Sequence, residues 1–290
     1  MPVPTPATQV LRYAAFTDSP AGGNPAGVVL EADVLSDAEM QRIATDVGYS
    51  ETAFVTGLAG YPDADLRIRY FSPRAEVPFC GHATIATGVA IGETTGSLHP
   101  IGLVTNVGRI SVELEARPAR GPLATLISVP GSARRPSDAE LAESLAALRW
   151  SRADLHPHYP AAVGFGGNEH LIVPVATRAR LADLDYDFDA LAAIMARTGW
   201  PTVHLTWPES PPVWHALDPF PPGGIREDPA TGAAAAAFGG YLRTFRLVAL
   251  PADIVIHQGV DLGRPSLLRL HVSADDPRLR VSGAAVALPG

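Results

Sequence analysis

Cysteine is almost absent from the sequence: Cys80 is the only one among 290 residues. A single thiol cannot form an intrachain disulfide, and it cannot build a cysteine-rich zinc or iron–sulfur site. This scarcity predicts a protein of the reducing cytoplasm. His156 and His158 stand two residues apart with no nearby cysteine or spaced carboxylate, so we predict no metal site there.

Basic residues are also scarce. The chain has 22 Lys and Arg against 30 Asp and Glu, which gives a formal net charge of −8. Binding to nucleic acid or to an anionic membrane needs a basic field, so neither partner is predicted. No 18 apolar residues run together, and residues 1–11 lack the basic and then apolar pattern of an export signal. The glycine-rich segment 164–167 lacks the lysine of a P-loop, so no nucleotide cofactor is expected.

Short apolar runs rich in β-branched and aromatic residues recur along the whole chain, which is too many strands for a helical protein. Predicted strands lie at 10–16, 52–55, 66–71, 109–114, 124–129, 171–175, 203–207, 254–258, 267–272 and 284–288.

Helices are fewer, and their ends carry clear signals. Ser36 and Ser137 each begin a Ser-x-x-Glu capping box, and a third helix is predicted at 188–197. Two more helices are expected to begin at 81–84 and at 229–232. The alanine run that follows the second of these predicts a helix thin enough to pass through the centre of a curled sheet.

Two segments echo each other at about half the chain length. Residues 71–84 and 220–231 both contain phenylalanine and proline before a turn and an Ala-Thr helix start. An internal duplication and coincidence between proline-rich turns both stay open. A duplication predicts two strand-rich lobes, each with a helix inside its sheet, connected by residues 116–122.

The two helix starts could bind a small anion. Backbone N–H groups are unpaired at a helix N-terminus, which carries roughly half a positive charge, so a carboxylate can bind without a basic side chain. Small residues allow close approach to the backbone, and threonines add hydroxyl donors. The candidate residues are Gly81, Ala83, Thr84, Thr231, Gly232 and Ala233. Simple helix capping is the alternative interpretation.

Three titratable residues stand close to these segments. His82 would lie in the first turn of its helix, where the dipole favours a neutral imidazole. Asp228 precedes a proline and could be only an N-cap. Glu51 enters an apolar strand, where burial would raise its pKa toward the range of a general acid/base.

A surface ion pair is the competing explanation for Glu51. Its partner would be one of Arg67, Arg69 or Arg74, all in or just after the next predicted strand.

Five motifs in a fixed order resemble the PhzF (phenazine biosynthesis) family, relatives of diaminopimelate epimerase. They occupy residues 16–17 with 23–28, 50–54, 69–73 with 80–84, 227–232, and 258–259 with 263–266. The resemblance implies an α/β (α+β) fold of two similar lobes, each a mostly antiparallel curled sheet or open barrel around a central helix. We expect the lobes at 1–118, completed by a last strand within 278–290, and at 119–277.

The resemblance also implies a function. The characterised family member isomerises a dihydro-hydroxyanthranilic acid by moving a proton without a metal or cofactor, and the family is usually homodimeric. Glu51 matches the catalytic carboxylate of the family, and His82 and Asp228 match cleft residues that assist it. Ligand-contacting positions match Asn24, Gly81, Thr231 and Gly232. We therefore predict a cofactor-independent isomerase acting on a small carboxylated metabolite.

Two positions depart from related patterns. Ala233 stands where many members have serine, so the anion site loses a hydroxyl donor and the substrate could differ. Cys80 matches one of two catalytic thiols of the epimerases, and the missing second thiol excludes their two-thiol mechanism. A racemase or epimerase with Cys80 and Asp228 as opposed bases is one alternative. A catalytically silent small-anion-binding protein is the other.

Overall fold

The computed structural model describes residues 8–289. Part of the stretch inspected for an export signal, and both outer ends of the predicted first lobe, lie outside the described residues. The first part of the chain contains β1 (Leu11–Ala15), β2 (Asn24–Val29), α1 (Asp37–Val47), β3 (Glu51–Thr56), β4 (Leu66–Phe71), β5 (Glu76–Val77), α2 (Gly81–Thr95), β6 (Ile101–Thr105), β7 (Gly108–Arg117) and β8 (Arg120–Pro130).

The second part repeats the alternation of strands and helices. It contains β9 (Ser132–Arg134), α3 (Asp138–Ala147), β10 (Ala162–Phe165), β11 (Glu169–Pro174), α4 (Arg178–Ala182), α5 (Phe188–Thr198), β12 (Val203–Ser210), β13 (Val213–Phe220), β14 (Ile225–Asp228), α6 (Gly232–Thr244), β15 (Ala252–Gln258), β16 (Ser266–Val272), β17 (Arg278–Gly283) and β18 (Ala285–Ala287). Within residues 8–289, no helix is long and apolar enough to cross a membrane.

The local predictions hold well. Every predicted strand is observed, and each of the two serine capping boxes begins a helix. Ser36 accepts a hydrogen bond from the Glu39 amide, the Glu39 carboxylate accepts one from the Ser36 amide, and Ser137 and Glu140 form the same pair. These reciprocal bonds satisfy amides that would otherwise be unpaired at the helix ends.

The sheet is strongly curled and follows one connection pattern twice. Strands β2 and β3 are parallel across α1, β3 and β4 are antiparallel, and β4 and β6 are parallel across α2. In the second part, β11 and β12 are parallel across α4 and α5, β12 and β13 are antiparallel, and β13 and β15 are parallel across α6. Helices α2 and α6 are buried along nearly their whole length. The predicted α/β fold, with curled sheet around central helices, is confirmed.

The repeated topology also accounts for the sequence echo. The first echoing segment links β4 to α2, and the second links β13 to α6, which are equivalent connections in the two halves. Equivalent placement favours an internal duplication over coincidence.

Residues 116–122, which are predicted to connect the two lobes, lie in a hairpin. They form the end of β7, a tight turn and the start of β8, and Arg117 pairs with Arg120 in this antiparallel hairpin. The proline and arginine content therefore marks a turn within one sheet. The lobe boundaries at 118 and 277 stay a prediction.

Small residues let α6 pass close to the sheet. All five alanines from Ala233 to Ala237 are buried, and two glycines of the β10 region face them. A Cβ atom added at Gly166 would lie 2.6 Å from the carbonyl carbon of Ala236. The predicted packing role of the alanine run is confirmed.

Replacement of Gly166 by alanine tests this packing. Because the added methyl group meets helix backbone, we expect Gly166→Ala to lower the free energy of unfolding by about 1–3 kcal/mol. Gly60→Ala is the control, since its added Cβ has Ala64 Cβ, at 3.4 Å, as its near neighbour. Urea denaturation measures both variants, and equal stabilities would contradict the close approach.

Candidate active site

The first turns of the two central helices meet in the middle of the molecule. A Cβ atom at Gly81 would lie 2.7 Å from the backbone nitrogen of Ala233 and 2.9 Å from Gly232 Cα. Only glycine at position 81 permits this approach without a shift of backbone. The sequence prediction of two helix starts is thus realised as one direct contact.

These two helix starts differ from the other four in the described chain. Helices α1, α3, α4 and α5 each begin with a side chain that accepts a hydrogen bond from a first-turn amide. Neither Cys80 at the start of α2 nor Thr231 at the start of α6 makes such a capping bond. The two meeting ends therefore lack the side-chain acceptor that stabilises the others.

A small cavity of about 50 Å³ lies at this contact and takes its walls from both halves of the chain. Seven of the predicted site residues line it: Glu51, Gly81, His82, Asp228, Thr231, Gly232 and Ala233. Asn24, Ala83 and Thr84 are buried nearby and do not line it.

Glu51 is buried at the beginning of β3, with 6% of its surface exposed. Its Oε2 lies 3.5 Å from His82 Nε2 and 3.6 Å from Cys80 Sγ. Burial raises the pKa of Glu51, while hydrogen bonds from Ser50 and Cys80 oppose the rise. This is the direction predicted from the sequence.

The surface ion pair proposed as an alternative for Glu51 is not formed. Arg69 instead binds Asp37 and Glu76, at 2.6 and 2.8 Å. Arg67 reaches Asn106.

His82 is a neutral imidazole in this environment. Burial lowers its pKa to about 3, the direction predicted from the sequence. Nδ1 lies 3.1 Å from the Asn24 amide nitrogen, whose two protons go to Asp228 Oδ1 at 2.7 Å and to the Ala230 carbonyl at 3.0 Å. Nε2 is the ring nitrogen that faces Glu51.

Asp228 is held by two donors from opposite halves of the chain. Asn24 donates to Oδ1 over 2.7 Å, and the Thr231 hydroxyl donates to Oδ2 over 2.6 Å. Burial, and then the charge of Glu51, nevertheless raise the pKa of Asp228 well above its usual value. Because Glu51 is also buried and its own pKa is raised, the two carboxyls retain a proton to higher pH than either would in water.

Gln258 fixes the second helix start and was not among the predicted site residues. Its Nε2 donates to the Asp228 carbonyl and to Thr231 Oγ1, and its Oε1 accepts from the Thr231 amide. The Thr231 hydroxyl is thus committed to Asp228, so Thr231 positions the carboxyl. The only sequence signal for Gln258 was its place in the last family motif.

Thr84 is committed in a similar way on the first helix. Its hydroxyl donates to the Cys80 carbonyl over 2.6 Å and lies 2.6 Å from the Tyr70 hydroxyl. The hydroxyl predicted to face a ligand is therefore already bonded within the protein.

Glu51, Cys80 and His82 also form a compact set of metal-ligand types, with one donor atom from each within 4.8 Å of the others. Zinc binding at such a set would need the Cys80 thiolate. Burial, and then the charge of Glu51, raise the pKa of Cys80 well above its usual value, so the thiol form is favoured.

Comparison with known proteins identifies the group to which this chain belongs. The profile of the phenazine biosynthesis-like protein family, PhzC-PhzF, matches residues 13–289. The chain belongs to the PhzF family. The isomerase YddE of Escherichia coli K12, described as uncharacterized, is 33% identical over 97% of this chain and 96% of its own length. The trans-2,3-dihydro-3-hydroxyanthranilate isomerase of Pseudomonas chlororaphis is 34% identical over 94% of both chains.

Solved PhzF structures agree with this assignment. The PhzF-family phenazine biosynthesis protein of Bacillus anthracis superposes with a TM-score of 0.83 at 26% identity, covering 97% of this chain and 96% of that chain. The predictions of the PhzF family and of an isomerase are confirmed. The roles of the individual site residues stay predictions.

Burial of Glu51 gives a stability prediction. A raised pKa means that the folded state binds more protons than the unfolded state above about pH 4.5, so this residue lowers stability as pH rises. We expect Glu51→Gln to raise the free energy of unfolding at pH 7.5 by about 0.5–2 kcal/mol, and by less at pH 4.5.

Urea denaturation at the two pH values measures this effect. The exposed Glu31→Gln variant is the matched control and should show no pH-dependent gain. A Glu51→Gln protein that is destabilised equally at both pH values would contradict the raised pKa.

Proposed function

We propose that this protein is a cofactor-independent isomerase that moves a proton on a small carboxylated metabolite, with Glu51 as the acid/base. One observation carries the proposal: the Glu51 carboxyl lies buried on the wall of a cavity at which two helix starts without capping side chains meet. We further propose that it acts in the cytoplasm as a homodimer, as its family resemblance implies.

Glu51 suits a reaction that removes a proton from one carbon and returns it to another. Its pKa is raised by burial, so this carboxyl holds a proton more readily than an exposed glutamate does. His82 Nε2 lies 3.5 Å from the carboxyl, and a proton on that nitrogen would hold the carboxylate toward the cavity. Asp228, with its raised pKa, would assist the proton movement or bind the substrate.

The helix starts suit the negative charge of the substrate. Removal of a proton from carbon leaves an anion that must be delocalised onto a neighbouring group. Preorganised backbone amides stabilise such charge, often by several kcal/mol. Gly81, Gly232 and Ala233 line the cavity with little side-chain bulk, so a carboxylate can approach these amides.

The relatives suggest a first substrate to test. The Pseudomonas chlororaphis enzyme is named for trans-2,3-dihydro-3-hydroxyanthranilate, a cyclic carboxylate with an activated C–H bond. The absence of a hydroxyl group at Ala233 is a reason to include related acids as well.

Burial of Cys80 argues against a racemase with Cys80 and Asp228 as opposed bases. Such a mechanism needs a thiolate, and burial together with the charge of Glu51 raises the pKa of Cys80 well above its usual value.

Deuterium exchange tests the role of Glu51. In deuterated water, we expect the protein to exchange or move a proton of a suitable carbon acid, and Glu51→Gln to lose about 10²–10⁴-fold in rate because its amide cannot carry the proton. Cys80→Ser should retain most of the activity, and so should protein dialysed against a chelator. NMR and mass spectrometry follow the label.

The results separate the alternatives. Loss of exchange in Cys80→Ser but not in Glu51→Gln would support the racemase. Failure to exchange any acid would favour the silent binding protein.

Ala233→Ser tests the anion site. A serine hydroxyl at the start of α6 adds a donor beside the backbone amides, so we expect the KM for a carboxylated substrate to fall roughly 3- to 10-fold. The exposed Ala119→Ser variant, far along the chain in a hairpin turn, is the control. Steady-state kinetics measure both, and an unchanged KM would place the carboxylate elsewhere.

A further inference from the structure

The second half of the chain places another buried polar cluster on the wall of the same cavity. His170 in β11 and Thr202 just before β12 line the cavity and contact each other. Asp218 binds both Thr202 and His204, and neither Asp218 nor His204 lines the cavity. All four side chains are at most 2% exposed. The proposed proton transfer uses none of them.

The repeated topology places this cluster opposite Glu51. Strands β11 and β12 are the counterparts of β2 and β3, which begin with Asn24 and Glu51. Polar groups thus stand at the same end of both sheets, where the two halves meet. His170 and Thr202 are the contribution of the second half.

The cluster is a chain of hydrogen bonds that fixes a histidine tautomer. The Thr202 hydroxyl donates to Asp218 Oδ2 over 3.0 Å, and His204 Nδ1 lies 2.7 Å from Asp218 Oδ1. His170 Nδ1 lies 2.9 Å from Thr202 Oγ1. A hydroxyl has one proton, which here goes to Asp218, so His170 Nδ1 must donate to Thr202. The lone pair of the ring is then on Nε2.

This lone pair accepts no hydrogen bond from the described residues. Burial lowers the pKa of His170 to about 4, so the ring is neutral near pH 7. Nε2 is buried, and it has no hydrogen-bond partner among residues 8–289. A buried acceptor without a partner is destabilising. Because His170 lines the cavity, a ligand bound there can supply the missing donor.

We propose that His170 is a substrate-binding, specificity-determining residue whose Nε2 accepts a hydrogen bond from an amino or hydroxyl group of the substrate. The inference rests on the proposed function, since it places the substrate beside Glu51. It narrows the substrate class from small carboxylates to carboxylates that also carry an N–H or O–H donor. Thr202 is a positioning residue, because it holds the tautomer of His170.

Two acids that differ by one amino group test the proposal. Isothermal titration calorimetry compares anthranilate with benzoate on the unmodified protein and on two variants. We expect the unmodified protein to prefer anthranilate roughly 5- to 20-fold. His170→Phe should lose this preference and keep its affinity for benzoate. His170→Gln should recover part of it, because the amide oxygen can accept the same bond.

NMR gives a readout that a merely structural role would not produce. Long-range ¹H–¹⁵N spectra distinguish protonated from unprotonated ring nitrogens. We expect His170 to carry its proton on Nδ1, and its Nε2 signal to move with anthranilate and not with benzoate. Thr202→Val should mix the two tautomers and weaken the preference.

Several outcomes would overturn the role of His170. They are equal affinities of the unmodified protein for the two acids, no binding of anthranilate, or an equal loss for both acids in His170→Phe. Exchange that still depends on Glu51 would show in those cases that the proposed function stands. Conversely, a preference for anthranilate that depends on His170 would support the proposal even if no acid exchanges deuterium.

Discussion

Contact between the first turns of α2 and α6 is the constraint on which the site depends. Two helix N-termini side by side each present about half a positive charge, so they repel each other unless negative charge lies close to both. Gly81 allows the approach, and the carboxyl groups of Glu51 and Asp228 lie at the same place. The arrangement brings together the amides of two halves of the chain and the acids that they attract.

Burial gives the two carboxyls their chemical character. Glu51 faces a neutral imidazole, and Asp228 is held by Asn24 and Thr231, yet desolvation raises the pKa of both acids. A chain selected only for stability would not keep two such acids in one cavity. Keeping both carboxyls buried lowers stability, which fits the proposed proton transfer.

Much of the fold could be predicted because its signals are local. The capping boxes at Ser36 and Ser137 and the apolar strands report on a few neighbouring residues. A strand of two residues such as β5 is too short to show an alternating pattern. Proline and arginine at 116–122 are compatible with a linker and with a hairpin turn alike. Only tertiary contacts decide such cases.

Some site residues could likewise be predicted from local signals, and others depend on tertiary contacts. Glu51 attracted notice because a carboxylate in an apolar strand is unusual in any sequence. Which hydroxyl faces the cavity depends instead on packing across the whole chain, so Thr84 was expected there and Thr202 was not.

Strand β17, near the end of the chain, lies between β16 and β8, and β18 pairs with β1. Neither half of the chain therefore forms a complete sheet by itself. A polypeptide cut after β8 would expose the edges of β8 and β1, which only strands of the missing half can cover.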